Sequence, residues 1–274
     1  MCAQPVAQHA AWAEQVHAPA WWRVLFSRIV TFCWVEMAKI RHDRTEVYTR
    51  AIQPALWLVI FGETFSRIRA IPSGGKPYLD FMAPGVIAQS ALFVAIFYGI
   101  QIIWERDAGV LTKLLATPTP TSALVAGKAF GASIRSLIQA AVVIVLAALL
   151  GVRFPLNPLV YLASVVIIVL GAAFFSMLSL TIAGIVLNRD RLMGIGQAIT
   201  MPLFFGSNAL YPIGVMPGWL QLLSTVNPLR YEIDALRGLL IGTPSNLPLD
   251  FGVLLAACLA GIATSSRLLR RLSQ

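Results

Sequence analysis

The sequence is poor in charged residues, which argues against a soluble globular domain. Charged residues make up 12% of the 274 residues, whereas a soluble domain carries about a quarter. Hydrophobic residues make up 58%, and the mean hydropathy is +0.76. Such a chain cannot cover its surface with polar groups, so lipid must form part of its solvent. We expect a mobile cytoplasmic tail over residues 1–19 and a single membrane domain over 20–274.

Cysteine and histidine are also scarce, with three of each. Cys2, Cys33 and Cys258 lie far apart in no paired motif, so the sequence predicts neither a disulfide framework nor a metal site. No set of nucleophile, base and acid is apparent, which argues against an enzyme. Ser122 and Ala129 replace the first Gly and the Ser/Thr of a phosphate-binding loop. We therefore expect no cofactor in this chain, and any ATP and Mg²⁺ to be bound by a separate subunit.

The net charge of +9 is better explained by membrane orientation than by nucleic-acid binding. A nucleic-acid site needs a polar, basic, exposed face. In a membrane protein, Lys and Arg accumulate on the cytoplasmic side, where they also meet anionic lipid. Most basic residues fall on one side if both termini are cytoplasmic, and this placement requires an even number of crossings. The first outer loop, with Arg67, Arg69 and Lys76, fits this orientation least well.

Apolar stretches predict an all-α integral membrane fold with six spans. The clearest stretch, Phe81 to Trp104, has no charge and is bounded by Asp80 and Glu105. At ~1.5 Å per residue it is long enough for a ~30 Å hydrocarbon core. The six predicted spans lie near residues 51–65, 81–104, 129–152, 158–187, 192–210 and 247–266.

Residues 20–50 predict an amphipathic helix that precedes the first span. Apolar residues recur there at helical spacing but are interrupted by charges, and no apolar run is long enough to cross a membrane. Trp21 and Trp22 are typical of anchors at the membrane interface. A soluble helix packed on a partner protein is the alternative.

The 105–118 loop carries the first motif that could support a function. A charged cluster ends the second span, Gly109 permits a tight turn, and an apolar-faced helical piece stops at Pro118. Such a helix could enter a groove on a cytoplasmic partner, although it could equally be a charged loop held at the membrane surface. The candidate residues are Glu105, Arg106, Gly109, Leu111, Lys113, Leu114 and Pro118.

The second motif is the outer segment, residues 207–238. Four prolines divide the uncharged stretch from residue 192 to 229, so one straight helix cannot accommodate it. We expect a break near Tyr211 and Pro212, followed by short helices that dip back toward the membrane as an outer gate. A plain hydrophobic outer loop is the alternative. The candidate residues are Asn208, Tyr211, Pro212, Pro217, Asn227, Pro228 and Tyr231.

Glu63 and Arg67 form a third candidate group near the outer end of the first span. They are four residues apart with the acid first, which is the favourable order on a helix. An unpaired charge at mid-membrane costs ~3 kcal/mol, so pairing or a wet cavity is expected. The pair is either a structural ion pair or part of a pathway in which Glu63 contacts a polar or cationic substrate.

The ordered set of motifs closely resembles type-2 ABC exporter permeases, such as drug-resistance, nodulation-factor and polysaccharide exporters. These motifs match in order and spacing across residues 20–270, and they read WERDAGVLTKLLATP, MAPG, SNALYP, MPGWLQ and NPLRYEIDALRGLL.

The resemblance implies a half-transporter with six spans after an interfacial helix, and re-entrant outer helices between spans five and six. The 105–118 loop would be the coupling helix against a cytoplasmic ABC ATPase subunit, present in two copies. A second permease, identical or paralogous, would complete a dimer in a bacterial inner membrane.

Two other functions remain open at this stage. A secondary transporter would need more intramembrane acids than Glu63, and preferably internal repeats. A non-transporting membrane anchor or assembly protein is the other alternative. For an exporter, the largely apolar path predicts an amphipathic substrate: a drug, a glycolipid or a lipid-linked saccharide.

Overall fold

The described part of the structure, a computed structural model, is built from helices. It comprises residues 45–68, 75–115, 121–186 and 188–268, with scattered helical residues between 26 and 38. The main elements are α1 (Thr45–Leu56), a π-helical turn (Trp57–Gly62), α2 (Glu63–Ile68), α3 (Tyr78–Asp107), α4 (Val110–Leu115), α5 (Thr121–Leu149), α6 (Pro158–Val186), α7 (Arg189–Phe205), a 3₁₀ turn (Ile213–Val215), α8 (Gly218–Val226), α9 (Pro228–Ile241) and α10 (Leu247–Leu268).

Four of these helices are long and apolar enough to cross a membrane. They are α3, α5, α6 and α10, with 30, 29, 29 and 22 residues. A shorter apolar helical stretch, Ile52–Phe65, coincides with the predicted first span. The chain is therefore an integral membrane protein, and the six-span count remains a prediction for the shorter helices.

Helices α6 and α10 have nearly the same bounds as the stretches predicted to be spans, whereas α5 and α7 differ from those stretches. The bounds of the spans themselves stay predictions. Helix α5 begins at Thr121, before the stretch predicted as a span near 129, and it includes Lys128, whose ammonium group is paired with Glu105. Helix α7 begins at Arg189, where the Asn188 side chain caps it by accepting hydrogen bonds from two backbone N–H groups. It ends at Phe205 rather than near 210.

The first helical stretch starts before the predicted boundary at residue 50. Helix continues from Thr45 through the π-helical turn to Ile68, with Pro54 inside α1. Trp57 contacts Phe204 of α7 edge to face at 5.2 Å, so this stretch packs on the bundle. Of the predicted interfacial helix, Phe26 and Trp34 are exposed, whereas Trp21 and Trp22 lie outside the described residues.

Helix α3 is the centre of the bundle. It packs against α5, α6, α7 and α9, and most of its residues are buried. Glycine permits one of these close contacts, because a Cβ on Gly99 would lie 2.5 Å from Ser179 of α6. Helix α10 is the opposite case, because most of its residues are not buried.

Candidate functional site

The 105–118 loop forms the predicted short helix at the end of α3. Helix α3 extends past the charged cluster to Asp107, and Ala108 and Gly109 then form a turn. Gly109 has φ +70°, a conformation that glycine adopts without steric cost. Helix α4 follows directly, with the Lys113 N–H donating to the Gly109 carbonyl. The turn therefore gives α4 its own axis.

Three contacts hold this loop to the bundle. Leu111 is 1% exposed and belongs to the core, so α4 is anchored by its apolar side. Glu105 forms an ion pair with Lys128 of α5, and the ammonium is buried. Arg189, at the start of α7, lies 4.5 Å from the ring centroid of Trp104, a cation–π distance. The start of the loop thus meets both α5 and α7.

The outward face of α4 is open in this chain. Val110 is 45% exposed and Lys113 is also exposed. Arg106 is half-buried at the end of α3. The Leu114 side chain and all of Pro118 lie outside the described residues, so their predicted roles stay predictions.

The outer segment contains the predicted breaks and short helices. A turn follows α7 over residues 206–211, and Pro212 and Pro217 precede the 3₁₀ turn and α8. Asn227 separates α8 from α9 and caps α9, because its Oδ1 accepts from the Leu229 N–H at 3.1 Å. Pro228 occupies the first turn of α9, where its missing N–H costs nothing. The position of these helices relative to a membrane remains a prediction.

Hydrogen bonds from the candidate residues stabilise the short elements. The Tyr211 hydroxyl donates to the Phe205 carbonyl at 2.7 Å, and the Tyr231 hydroxyl donates to the Thr225 carbonyl at 2.7 Å. Burial raises the pKa of the Tyr211 hydroxyl above its ordinary value. The Asn227 side chain also donates to the Leu203 carbonyl of α7 at 2.7 Å.

Arg237 of α9 is the centre of a buried polar network that joins the outer segment to α3. Its Nη2 donates to the Asn208 carbonyl at 2.8 Å and to the Phe81 carbonyl at 3.3 Å. Its guanidinium carbon lies 3.9 Å from the Phe81 ring centroid. Asp234 accepts a hydrogen bond from the Asn208 side chain and lies 3.8 Å from Arg237 Nη1. One cation therefore holds the turn after α7 against the start of α3.

Two further contacts fix the same turn. The Tyr78 hydroxyl donates to the Leu210 carbonyl at 2.9 Å. A Cβ on Gly85 would lie 2.6 Å from the Ala209 carbonyl oxygen, so only glycine lets the backbones approach this closely. Together with Arg237, these contacts restrain the turn on several sides.

A buried acid lies deeper on α9. Glu232 is fully buried, and neither of its carboxyl oxygens has a hydrogen-bond partner. Its carboxyl group lies directly against Gly171 of α6, and a Cβ on Gly171 would lie 2.1 Å from Oε2 of Glu232. The glycine therefore makes room for the acid between the two helices.

Glu63 and Arg67 both lie on α2, but the predicted pair is not established. Glu63 is exposed, and the Arg67 side chain is outside the described residues. Within the described residues, no group of three or more His, Cys, Asp or Glu side chains is placed to hold a metal ion.

Sequence reasoning did not identify several residues of these sites. Lys128 is the buried partner of Glu105, and the distance between the two residues along the chain gives no local indication of this pair. Arg237 was not identified as a site residue, although Asp234 three residues earlier could have indicated an internal pair. Gly85 and Glu232 belong to motifs that carry the resemblance, but nothing local indicates the contacts of Tyr78, Gly85 or Glu232, because their partners are more than 60 residues away along the chain.

The sequence is similar to those of known membrane transport proteins. The profile of the family described as ABC-2 type transporter matches residues 27–241. The chain is 30% identical to transport permease ycf38 of Cyanophora paradoxa, over 68% of this chain and 64% of that protein. The match therefore spans less than two thirds of that relative's length.

Two bacterial relatives extend the similarity. The daunorubicin resistance ABC transporter permease protein DrrB1 of Streptomyces coeruleorubidus is 24% identical over 90% of this chain and 86% of that protein. Nodulation protein J of Rhizobium leguminosarum bv. viciae is 30% identical over 72% of this chain and 76% of that protein. The similarity to DrrB1 includes most of the helices described above.

Proposed function

Because the chain belongs to the ABC-2 type transporter family, we propose that it is the membrane permease subunit of an ATP-driven exporter. Its substrate would be amphipathic: a drug, a glycolipid or a lipid-linked saccharide. ATP and Mg²⁺ would bind to two copies of a cytoplasmic ATPase subunit. A second permease copy or a paralogue would complete the pathway in a bacterial inner membrane, with both termini cytoplasmic.

Helix α4 is the observation that carries this proposal. It is short, it turns away from α3 at Gly109, and it leaves Val110 and Lys113 exposed while Leu111 is buried in the core. A helix anchored on one side and open on the other can bind a groove on a partner. The ion pair between Glu105 and Lys128 would pass its movement to α5.

The mechanism that follows is alternating access. Closure of the two ATPase subunits on ATP would displace α4, and the displacement would reach α3 directly and α5 through the ion pair. Helix α3 also meets the turn that Arg237 holds. Movement of α3 would therefore change the packing of the outer segment, which would open the exit for the substrate.

The test is recovery of the ATPase by variants that change only the exposed face of α4. The double variant Val110→Asp with Lys113→Glu leaves Leu111 and the ion pair intact. The control, Leu156→Asp with Arg153→Glu, makes the same kinds of change at exposed positions between α5 and α6. The tagged permease would be co-purified with its co-expressed ATPase subunit.

We expect the α4 variant to recover at least about tenfold less ATPase than the wild type, and the control to recover the wild-type amount. Equal recovery by both variants would contradict a coupling role for α4. Failure of the folded wild-type chain to recover any ATPase would overturn the exporter proposal itself.

Two buried acids favour proton-coupled transport as a second candidate function. Glu232 is fully buried and Asp250 is 3% exposed, and buried acids are typical of proton pathways. The two functions differ in their energy source. Transport in membrane vesicles that persists without ATP and stops on addition of a protonophore would favour the second candidate.

A further inference from the structure

A cavity of about 340 Å³ lies between α1, α3 and α5, away from both motifs described above. Its size falls within the range of small-molecule sites, which is ~300–1,000 Å³. Its mouth is formed in part by α1, where Gln53 is exposed. The cavity therefore has an entrance on the side of the first helical stretch.

Three glutamines from three different helices line this cavity, namely Gln53, Gln89 and Gln139. Gln89 is 3% exposed, and its Oε1 has no hydrogen-bond partner. An amide oxygen buried without a donor is destabilising, because it has lost its bonds to water. A ligand that donates a hydrogen bond would satisfy it.

One side of the cavity is apolar, because Phe93 and Phe97 of α3 line it. The rings of Phe93 and Phe97 are stacked, with centroids 6.4 Å apart and an interplanar angle of 11°. Ser90 lies beside them, and its hydroxyl donates to the Ile87 carbonyl at 2.7 Å, which leaves its oxygen able to accept. The cavity thus combines apolar ring surface with uncharged hydrogen-bonding groups.

Among the residues that the structure describes, none of those lining the cavity is charged. An ionic head group would therefore lose its hydration without meeting a countercharge, which is strongly unfavourable. A neutral group with hydroxyls can donate to Gln89, and its carbon skeleton can lie against the rings. The lining therefore disfavours both anionic and cationic head groups.

We propose that this cavity binds the uncharged, hydroxyl-bearing head group of an amphipathic ligand, with Gln89 as the principal hydrogen-bond acceptor. The inference rests on the proposed function, because it specifies the substrate class of the exporter. It places the head group between α1, α3 and α5.

The test uses three probes that share an eight-carbon chain and differ in head group: octyl β-glucoside, octyl sulfate and octyltrimethylammonium. Binding to the permease alone in nanodiscs would be measured by ligand-observed NMR below the micellar concentration. Empty nanodiscs would correct for partition into lipid. The variant is Gln89→Leu, and Gln101→Leu is the control because Gln101 lies on the same helix outside the cavity lining.

We expect the glucoside to bind more tightly than either charged probe. Gln89→Leu should weaken glucoside binding about fivefold, as loss of one hydrogen bond does, and Gln101→Leu should leave it unchanged. Gln53→Leu changes an exposed residue of the same cavity and should weaken binding about twofold. It provides the same test should Gln89→Leu fail to fold.

Equal binding of the three probes, or a charged probe bound most tightly, would overturn the proposed ligand class. Glucoside binding unchanged by every folded cavity variant would overturn the site. The measurement needs no ATPase subunit. Specific binding without recovery of an ATPase would therefore support the cavity and contradict the exporter, and the reverse result would contradict the cavity alone.

Discussion

At the scale of single residues, Arg237 is the side chain on which the outer segment most depends. It is 6% exposed, and its donors reach backbone carbonyls in two other parts of the chain, at Phe81 and Asn208. Phe81 lies in the first turn of α3, and Asn208 lies in the turn after α7. Arg237 therefore replaces hydrogen bonds that water would otherwise supply.

Replacement of Arg237 by Met should reduce the free energy of unfolding by about 2–4 kcal/mol, because buried carbonyls and Asp234 would lose their partner. Arg230→Met is the matched control. Arg230 lies on the same helix and is 3.6 Å from Asp234, but it is partly exposed. Its loss should cost less than about 1 kcal/mol. Denaturant titration in detergent would measure the free energy of unfolding of both variants. An equal loss in the two variants would show that the Arg237 network does not contribute to stability.

At the scale of elements, the ion pair between Glu105 and Lys128 joins the end of α3 to α5. Lys128 is 5% exposed, and the pair lies within two turns of the exposed face of α4. The pair therefore lies where a displaced α4 would first act on the spans. Its loss should change coupling as well as stability.

Glu105→Gln and Lys128→Gln should each lower the substrate-stimulated part of the ATPase activity of the assembled complex, by about tenfold. Glu105→Lys combined with Lys128→Glu restores an ion pair and should recover most of it, because attraction does not depend on which helix carries the cation. Unstimulated ATPase activity is the control. A double variant as inactive as the worse single variant would contradict a role for the pair.

The elements that could be predicted from sequence were those whose own residues determine them. An unbroken apolar run defines α6, a largely apolar run between Asp250 and Arg267 defines α10, and Gly109 and the prolines mark real breaks. The starts and ends of α5 and α7 are harder to predict, because they depend on contacts between residues that are distant along the chain. Lys128 lies inside α5 and is paired with Glu105, 23 residues away. Likewise, the end of α7 is followed by a turn whose carbonyls bind Arg237 and Tyr78. Such contacts depend on the tertiary fold.

At the scale of the whole molecule, burial is uneven among the long helices. Helix α3 is enclosed by its neighbours, whereas α10 presents Leu255, Leu259 and Ile262 outward. Exposed apolar side chains on a span are normal where lipid or a second subunit covers them. The core of the protein is therefore centred on α3 rather than shared equally.

Truncation of a leucine should have very different effects on these two helices. Leu92 of α3 is fully buried, so Leu92→Ala should reduce the free energy of unfolding by about 2–5 kcal/mol. Leu259 of α10 is 61% exposed, and Leu259→Ala should cost less than about 1 kcal/mol, because lipid or detergent replaces the lost contacts. Thermal or denaturant unfolding in one detergent would compare them. Similar losses would mean that α10 is covered by protein.

The contrast between α3 and α10 also determines how such a chain can diverge over generations. A helix enclosed by protein must keep its side-chain volumes matched to its neighbours, so most changes in α3 would need a compensating change elsewhere. A helix bordered by fluid hydrocarbon needs only to remain apolar, and α10 can therefore exchange one aliphatic residue for another. During adaptation to a colder or thicker bilayer, substitutions would therefore accumulate first in α10, while the sequence of α3 changed little.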